Sequence, residues 1–265
     1  IQPDFTDAFI NLGLTLRELG KLEEAAANHT QAVVLKPDSA EVHNNLGNTL
    51  KELGKLEEAL ASLGRAVALK PDYPEAHNNL GATLQELGRL EEAAASYTQV
   101  IALEPDSAEA YGNLGMTLQE LGRLGEAEVS YGQAIGLKTD YAAVYNNLGT
   151  ILQNQGRLEE ALTRYNEAIE LQVDYSQAYN NKNLCLNYSF NWSSLFIYQQ
   201  HLEFEKQFGG LEIRVPLMEK VNKDAVERLR IGYVSGDFKS HSVAYFFEPL
   251  LQHHNANVVE TFCYY

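Results

Sequence analysis

Asn78-Asn79-Leu80-Gly81-Ala82-Thr83-Leu84-Gln85-Glu86-Leu87-Gly88-Arg89-Leu90-Glu91-Glu92-Ala93, running on to Tyr97, is the stretch that decides the fold. It reads as two helical segments joined at Gly88, where a residue without a Cβ takes the positive φ of a helix-ending turn. The stretch then returns along the chain. Leu12, Leu46, Leu80, Leu114 and Leu148 are each 34 residues apart, and each is followed by a glycine: Gly13, Gly47, Gly81, Gly115 and Gly149. Leu16, Leu50, Leu84, Leu118 and Leu152 keep the same period, as do the turn glycines Gly20, Gly54, Gly88, Gly122 and Gly156. In the second helix Ala25, Ala59, Ala93, Ala127 and Ala161 stay small, and His29, Leu63, Tyr97, Tyr131 and Tyr165 follow one turn on. A helical hairpin of this kind buries one face only, so copies must stack to complete a core.

These marks resemble the tetratricopeptide repeat (TPR): leucine-glycine on helix A, a small residue and a bulky one on helix B, then a proline slot. That slot holds Pro37, Pro71 and Pro105 and lapses to Thr139 and Val173. The expected fold is mainly α: a TPR α-solenoid, a right-handed superhelix of hairpins, followed by a first βαβ unit. Residues 1–5 read as the tail of a preceding repeat, because Pro3 falls at a proline slot, and 6–175 as five repeats. In 176–208 Lys182-Asn183 replaces leucine-glycine, and Asn191-Trp192-Ser193-Ser194 signals a helix start, so this stretch reads as a modified terminal hairpin. Residues 209–228 form a polar linker, and an α/β unit begins at 229. Both ends look cut, so the chain is expected to continue in each direction.

Composition narrows the partners. The chain has 36 acidic against 20 basic residues and a net charge of −16. A surface of that sign repels nucleic acid and anionic lipid, so neither is expected as a partner. Cys185 and Cys263 stand far apart, which is the pattern of a reducing compartment and offers no disulfide framework or metal site. There is no apolar run long enough for a membrane span and no signal peptide. The expected location is cytoplasmic.

The sixth position of helix A is asparagine in every copy: Asn11, Asn45, Asn79, Asn113, Asn147 and Asn181. A primary amide both donates and accepts, so such a column can hold an extended protein or peptide segment by its backbone in the concave groove. The competing reading is an inherited consensus in which each asparagine satisfies a neighbouring turn. Asn44, Asn78, Asn146 and Asn180 stand beside the column, and Glu41, Glu75, Glu109, Glu52, Glu86 and Glu120 flank it. Those carboxylates fit a solvated face or a groove favouring basic segments. Only Arg17 and Lys51 offer cations there, which disfavours capture of a peptide carboxylate.

From Leu229 the period changes. Leu229–Ser235 is a β-rich run ended by Gly236-Asp237, Val243 to Leu251 fits an amphipathic helix, and Val258–Tyr265 is β-rich again. Strand, helix and strand with short loops imply a parallel crossover. Arg228-Leu229-Arg230-Ile231-Gly232-Tyr233-Val234-Ser235-Gly236-Asp237-Phe238, with His241 three residues on, resembles the start of the catalytic region of O-linked N-acetylglucosamine transferases and their bacterial homologues. Phe262-Cys263-Tyr264 resembles that family's second strand, Cys185-Leu186-Asn187-Tyr188 its linker hairpin, and the asparagine column its substrate-binding ladder.

The resemblance implies a GT-B glycosyltransferase with Rossmann-like lobes, passing a sugar from UDP-N-acetylglucosamine (UDP-GlcNAc) or another nucleotide sugar to Ser or Thr hydroxyls without a metal. No cofactor is implied. His241 matches the active-site histidine, as base or as a donor-sugar contact, and Asp237 positions the loop. The residues that would hold the nucleotide are not in this sequence, so this chain alone is expected to be inactive. The alternative is a non-catalytic TPR adaptor.

Overall fold

The computed structural model describes residues 5–188, 192–208, 229–234 and 259–264. The chain forms two compact units, Ile1–Gly209 and Gly210–Tyr265. The described part of the first is helical: α1 (Phe5–Glu18), α2 (Leu22–Leu35), α3 (Ala40–Glu52), α4 (Leu56–Leu69), α5 (Pro74–Glu86), α6 (Leu90–Leu103), α7 (Ala108–Glu120), α8 (Leu124–Leu137), α9 (Ala142–Asn154), α10 (Leu158–Leu171), α11 (Ser176–Tyr188) and α12 (Ser194–Phe208). Odd-numbered helices up to α11 are the A helices, and even-numbered ones up to α10 the B helices of a TPR solenoid. Among the described residues, no helix is long and apolar enough to cross a membrane.

Each hairpin turn is built in the same way. Gly54 has φ +73°, its N–H donates to the Lys51 carbonyl at 2.8 Å, and the Lys55 N–H donates to the Leu50 carbonyl at 2.9 Å. Together these satisfy carbonyls that the end of α3 would leave unpaired. Gly20, Gly88, Gly122 and Gly156 repeat that conformation. The proline slot matters less than its recurrence suggests. α8 and α10 end at Leu137 and Leu171, in register with α2, α4 and α6, although Thr139 and Val173 stand where proline is missing.

The other recurrent glycine serves packing. A Cβ on Gly47 would fall 2.5 Å from Cγ of Leu63, on Gly81 2.9 Å from the Tyr97 ring, and on Gly115 or Gly149 2.6 Å from the rings of Tyr131 or Tyr165. The bulky B-helix side chain thus occupies the space that any side chain on the A helix would need. Ala25, Ala59, Ala93, Ala127 and Ala161 are fully buried where the paired helices come closest.

The sixth A helix departs from the pattern. Lys182 is half-buried, and burial pushes its ammonium pKa down, against a smaller opposing pull from Glu203. Asn183 is buried where the other repeats hold glycine. α12 starts where Ser193 Oγ accepts the Phe196 N–H at 3.2 Å. It returns over α11 through Phe204 and Phe208, whose rings pack on Tyr179.

In the second unit β1 (Leu229–Val234) pairs in parallel with β2 (Val259–Tyr264), Leu229 opposite Val259 and Val234 opposite Tyr264. Parallel strands require a crossover connection. The helix expected over Val243–Leu251, with Asp237 and His241, lies outside the described residues.

Candidate functional site

Consecutive A helices touch one another: α1 with α3, α3 with α5, α7 with α9 and α9 with α11. The asparagine column runs along this face, and its members are not equivalent. Asn79 Nδ2 donates to Asn44 Oδ1 at 2.9 Å, Asn113 Nδ2 to Asn78 Oδ1 at 3.2 Å, and Asn181 Nδ2 to Asn146 Oδ1 at 2.9 Å. Asn79, Asn113 and Asn181 are therefore each tied to an asparagine of the preceding repeat. In these three the amide bonds between repeats and not to a turn.

Asn44 and Asn146 are each only 1% exposed, and they anchor these ties. Asn44 also donates to Glu75 Oε1 at 2.9 Å, which uses its amide on both sides. One N–H of Asn79, Asn113 and Asn181 is held in this way. Among the described residues, the Oδ1 and second N–H of each have no partner. The amide plane is fixed from behind while its remaining donor and acceptor stay available, an arrangement that lowers the ordering cost of binding.

The other column members differ for identifiable reasons. Gly112 occupies the slot that would tie Asn147, and a Cβ there would meet the Tyr141 hydroxyl at 3.3 Å. Asn147 Oδ1 instead accepts from Asn146 Nδ2 at 3.3 Å, and its amide lies against the Tyr131 hydroxyl. Asn45 follows Ile10, which offers no amide. It is 9% exposed, and its side chain has no partner among the described residues. Asn11, on the outermost described A helix, is exposed.

A groove of about 530 Å³ opens on α5 and α7, lined among others by Asn79, Asn113, Ala82, Met116, Glu86 and Glu120. Tyr97 and Gln85 also line it, a pairing that the sequence reading did not draw and that recurs along the array. The hydroxyls of Tyr97, Tyr131 and Tyr165 donate to Oε1 of Gln85, Gln119 and Gln153 at 3.5, 3.1 and 2.8 Å. Burial pushes the Tyr165 phenol up to about 12. Tyr97 is raised further, by burial first and then by Glu109, Glu120 and Glu86. The signal was present in the repeats: glutamine stands twelve residues before each tyrosine, whereas Arg17 and Lys51 stand before His29 and Leu63. Thr49, Thr83 and Thr117 form a second unrecognised column, fully buried and bonded to the backbone carbonyls of Asn45, Asn79 and Asn113.

TPR-repeat models match residues 13–54, 47–88 and 86–122, and tetratricopeptide-repeat models match 108–141 and 142–175, together more than half of the chain. The chain belongs to the tetratricopeptide-repeat family. Among solved TPR structures, YrrB, described as a TPR protein with an unusual peptide-binding site, is 24% identical with a TM-score of 0.58 over 66% of this chain and 90% of that one. MamA is 24% identical with a TM-score of 0.59 over 65% and 94%. PilF of Pseudomonas aeruginosa is 19% identical with a TM-score of 0.65 over 78% and 93%. At these identities the likeness is one of fold. No curated protein matches the sequence.

Proposed function

We propose that the TPR array is a peptide-binding module that holds an extended segment by its backbone, and that the chain acts as an adaptor or scaffold. The observation that carries this reading is the set of tied amides. Asn79, Asn113 and Asn181 are each fixed by an asparagine of the preceding repeat and keep one donor and one acceptor available. An extended chain presents its N–H and C=O groups to such amides whatever its side chains, so the demand on sequence is small. Asn147, Asn45 and Asn11 extend the column. The peptide-binding site in YrrB's description is consistent with a partner of this class.

The test replaces Asn79, Asn113, Asn147 and Asn181 together by alanine and measures binding of an extended, uncharged peptide by fluorescence anisotropy. At about 1 kcal/mol for each hydrogen bond, affinity should fall by several kcal/mol. Helicity is followed in parallel, because three of these residues also join repeats. Unchanged affinity in a folded variant rules out the ladder.

A second reading is favoured by the parallel pairing of Leu229–Val234 with Val259–Tyr264, in the segment that resembles O-linked N-acetylglucosamine transferases. In it the array presents protein substrates to a GT-B catalytic region that begins at 229. That region transfers N-acetylglucosamine from UDP-GlcNAc to Ser or Thr hydroxyls, with His241 at the active site and Asp237 positioning its loop. In a chain carrying the whole region, His241→Ala should lower transfer by about two orders of magnitude. Wild-type turnover would return the adaptor reading to sole place.

A further inference from the structure

We propose that the segment held in the groove is cationic, with an arginine or lysine side chain seated in a recess beside Asn78. This rests on the reading that the groove binds an extended peptide, and it names that peptide's chemistry. The recess has a volume of about 390 Å³ and is lined by Tyr73, Glu75, Asn78, Glu104 and Glu109 among others. It adjoins the groove, since Asn78 and Glu109 line both. A backbone running past Asn79 and Asn113 can therefore drop a side chain into it.

The carboxylates here are left unpaired by the chain's own cations. Glu92, Glu126 and Glu160, on the B helices, are paired with Arg89, Arg123 and Arg157 at 2.7, 2.5 and 2.6 Å. Glu104 and Glu109, and Glu86 in the groove, have no such partner among the described residues. Lys51 is the one cation among the described residues lining the groove, against Glu86, Glu109 and Glu120. The field reaches the phenols: after burial, Glu75 and Glu41 raise the pKa of Tyr73.

The Tyr73 ring already attracts a cation, with Lys70 Nζ 5.0 Å from its centroid. A guanidinium or ammonium entering the recess meets this ring and the carboxylates of Glu104 and Glu109, and a planar guanidinium satisfies two acceptors at once. Among the described residues, no group of acidic, histidine or cysteine side chains is arranged to hold a metal ion.

The test uses three labelled extended peptides of one Ser/Thr/Val/Pro frame, carrying arginine, glutamine or glutamate at the same positions, and reads anisotropy with the whole chain. The arginine peptide should bind about tenfold more tightly than the glutamine peptide at low salt, and the glutamate peptide least. The arginine advantage should shrink as salt rises, and should fall toward unity in Glu104→Gln/Glu109→Gln with helicity retained. Equal binding of arginine and glutamine peptides overturns the inference and leaves the backbone ladder standing. An arginine preference that survives in the double variant overturns the recess. Binding of none of the three sinks the ladder as well.

Discussion

The first hairpin, α1–α2, and the central pair, α5–α6 and α7–α8, share one backbone plan and satisfy their polar groups differently. In the centre, Tyr97 and Tyr131 fill the space left by Gly81 and Gly115, and their hydroxyls find glutamines on their own A helices. In the first hairpin His29 fills the same space against Gly13. Its Nδ1 pairs with Thr49 Oγ1 of the next repeat at 2.9 Å, while Nε2 is buried without a partner. The asparagine column divides the same way, since Asn79 and Asn113 are tied to a preceding repeat and Asn11 is exposed. Both regions pair polar groups between repeats, and the difference is which ones: asparagine ties hold Asn79 and Asn113 along the central groove, whereas the first hairpin is joined to the next repeat through His29 and Thr49.

The largest effect that sharpens this contrast is Tyr131→Ala, which empties a fully buried site and should cost about 3–5 kcal/mol. Hydrogen exchange should show the loss concentrated in α7–α10, because a repeat array loses stability locally. Uniform loss along the array would break the comparison.

Next comes His29→Leu, which gives the first hairpin the side chain that Leu63 supplies in the second. Removing a buried unpaired nitrogen should offset the Thr49 contact it loses and stabilise the hairpin, by about 1 kcal/mol. Thermal melts that show destabilisation would mean that the Thr49 bond outweighs the unpaired Nε2.

The pH response of the first hairpin follows from the same residue. Burial, with Arg17 adding to it, holds the His29 imidazole below its ordinary 6.5, while the Ile10 carbonyl opposes weakly without completing a hydrogen bond. The unfolded chain then binds more protons than the folded one between the folded value and about 6.5, so stability rises with pH in that window. Protection of α1–α2 should be full above 6.5 and fall as the solution is acidified below it, levelling off beneath the folded pKa. α5–α8, with tyrosine in that place, should show no such step, and His29→Leu should remove it.

The smallest effect compares two column members. Asn113→Ala removes the bond to Asn78 and should cost about 1 kcal/mol, whereas Asn11→Ala should fall within about 0.5 kcal/mol of the parent. Equal costs would mean that the inter-repeat tie adds nothing.

Much of this array is legible in sequence because its decisive residues recur. Gly88 and its equivalents mark turns, Gly81 and its equivalents mark close approach, and the small alanines mark the inner contact. The column itself is legible, but its bonding is not, since Asn79 meets Asn44 only through stacking of one hairpin on the next. A trace remains in the numbering. Asn44 and Asn79, Asn78 and Asn113, and Asn146 and Asn181 are each 35 residues apart, one more than the repeat, and Gly112 breaks the series at Asn147. The amide bonds of Asn79, Asn113 and Asn181 join helices that no local pattern pairs. Asp237 and His241, read from a resemblance, lie outside the described residues.

The most direct test of backbone recognition replaces peptide amides with esters. An extended peptide and its depsipeptide, with alternate backbone N–H groups exchanged for ester oxygen, are titrated calorimetrically into the chain. If Oδ1 of Asn79, Asn113 and Asn181 accepts backbone N–H groups, the depsipeptide should bind at least about tenfold more weakly, the loss expected when two or more neutral hydrogen bonds go unmade. A scrambled peptide with an intact backbone should bind as the original does. Equal affinity of amide and ester, or loss on scrambling alone, would contradict backbone recognition by the asparagine column.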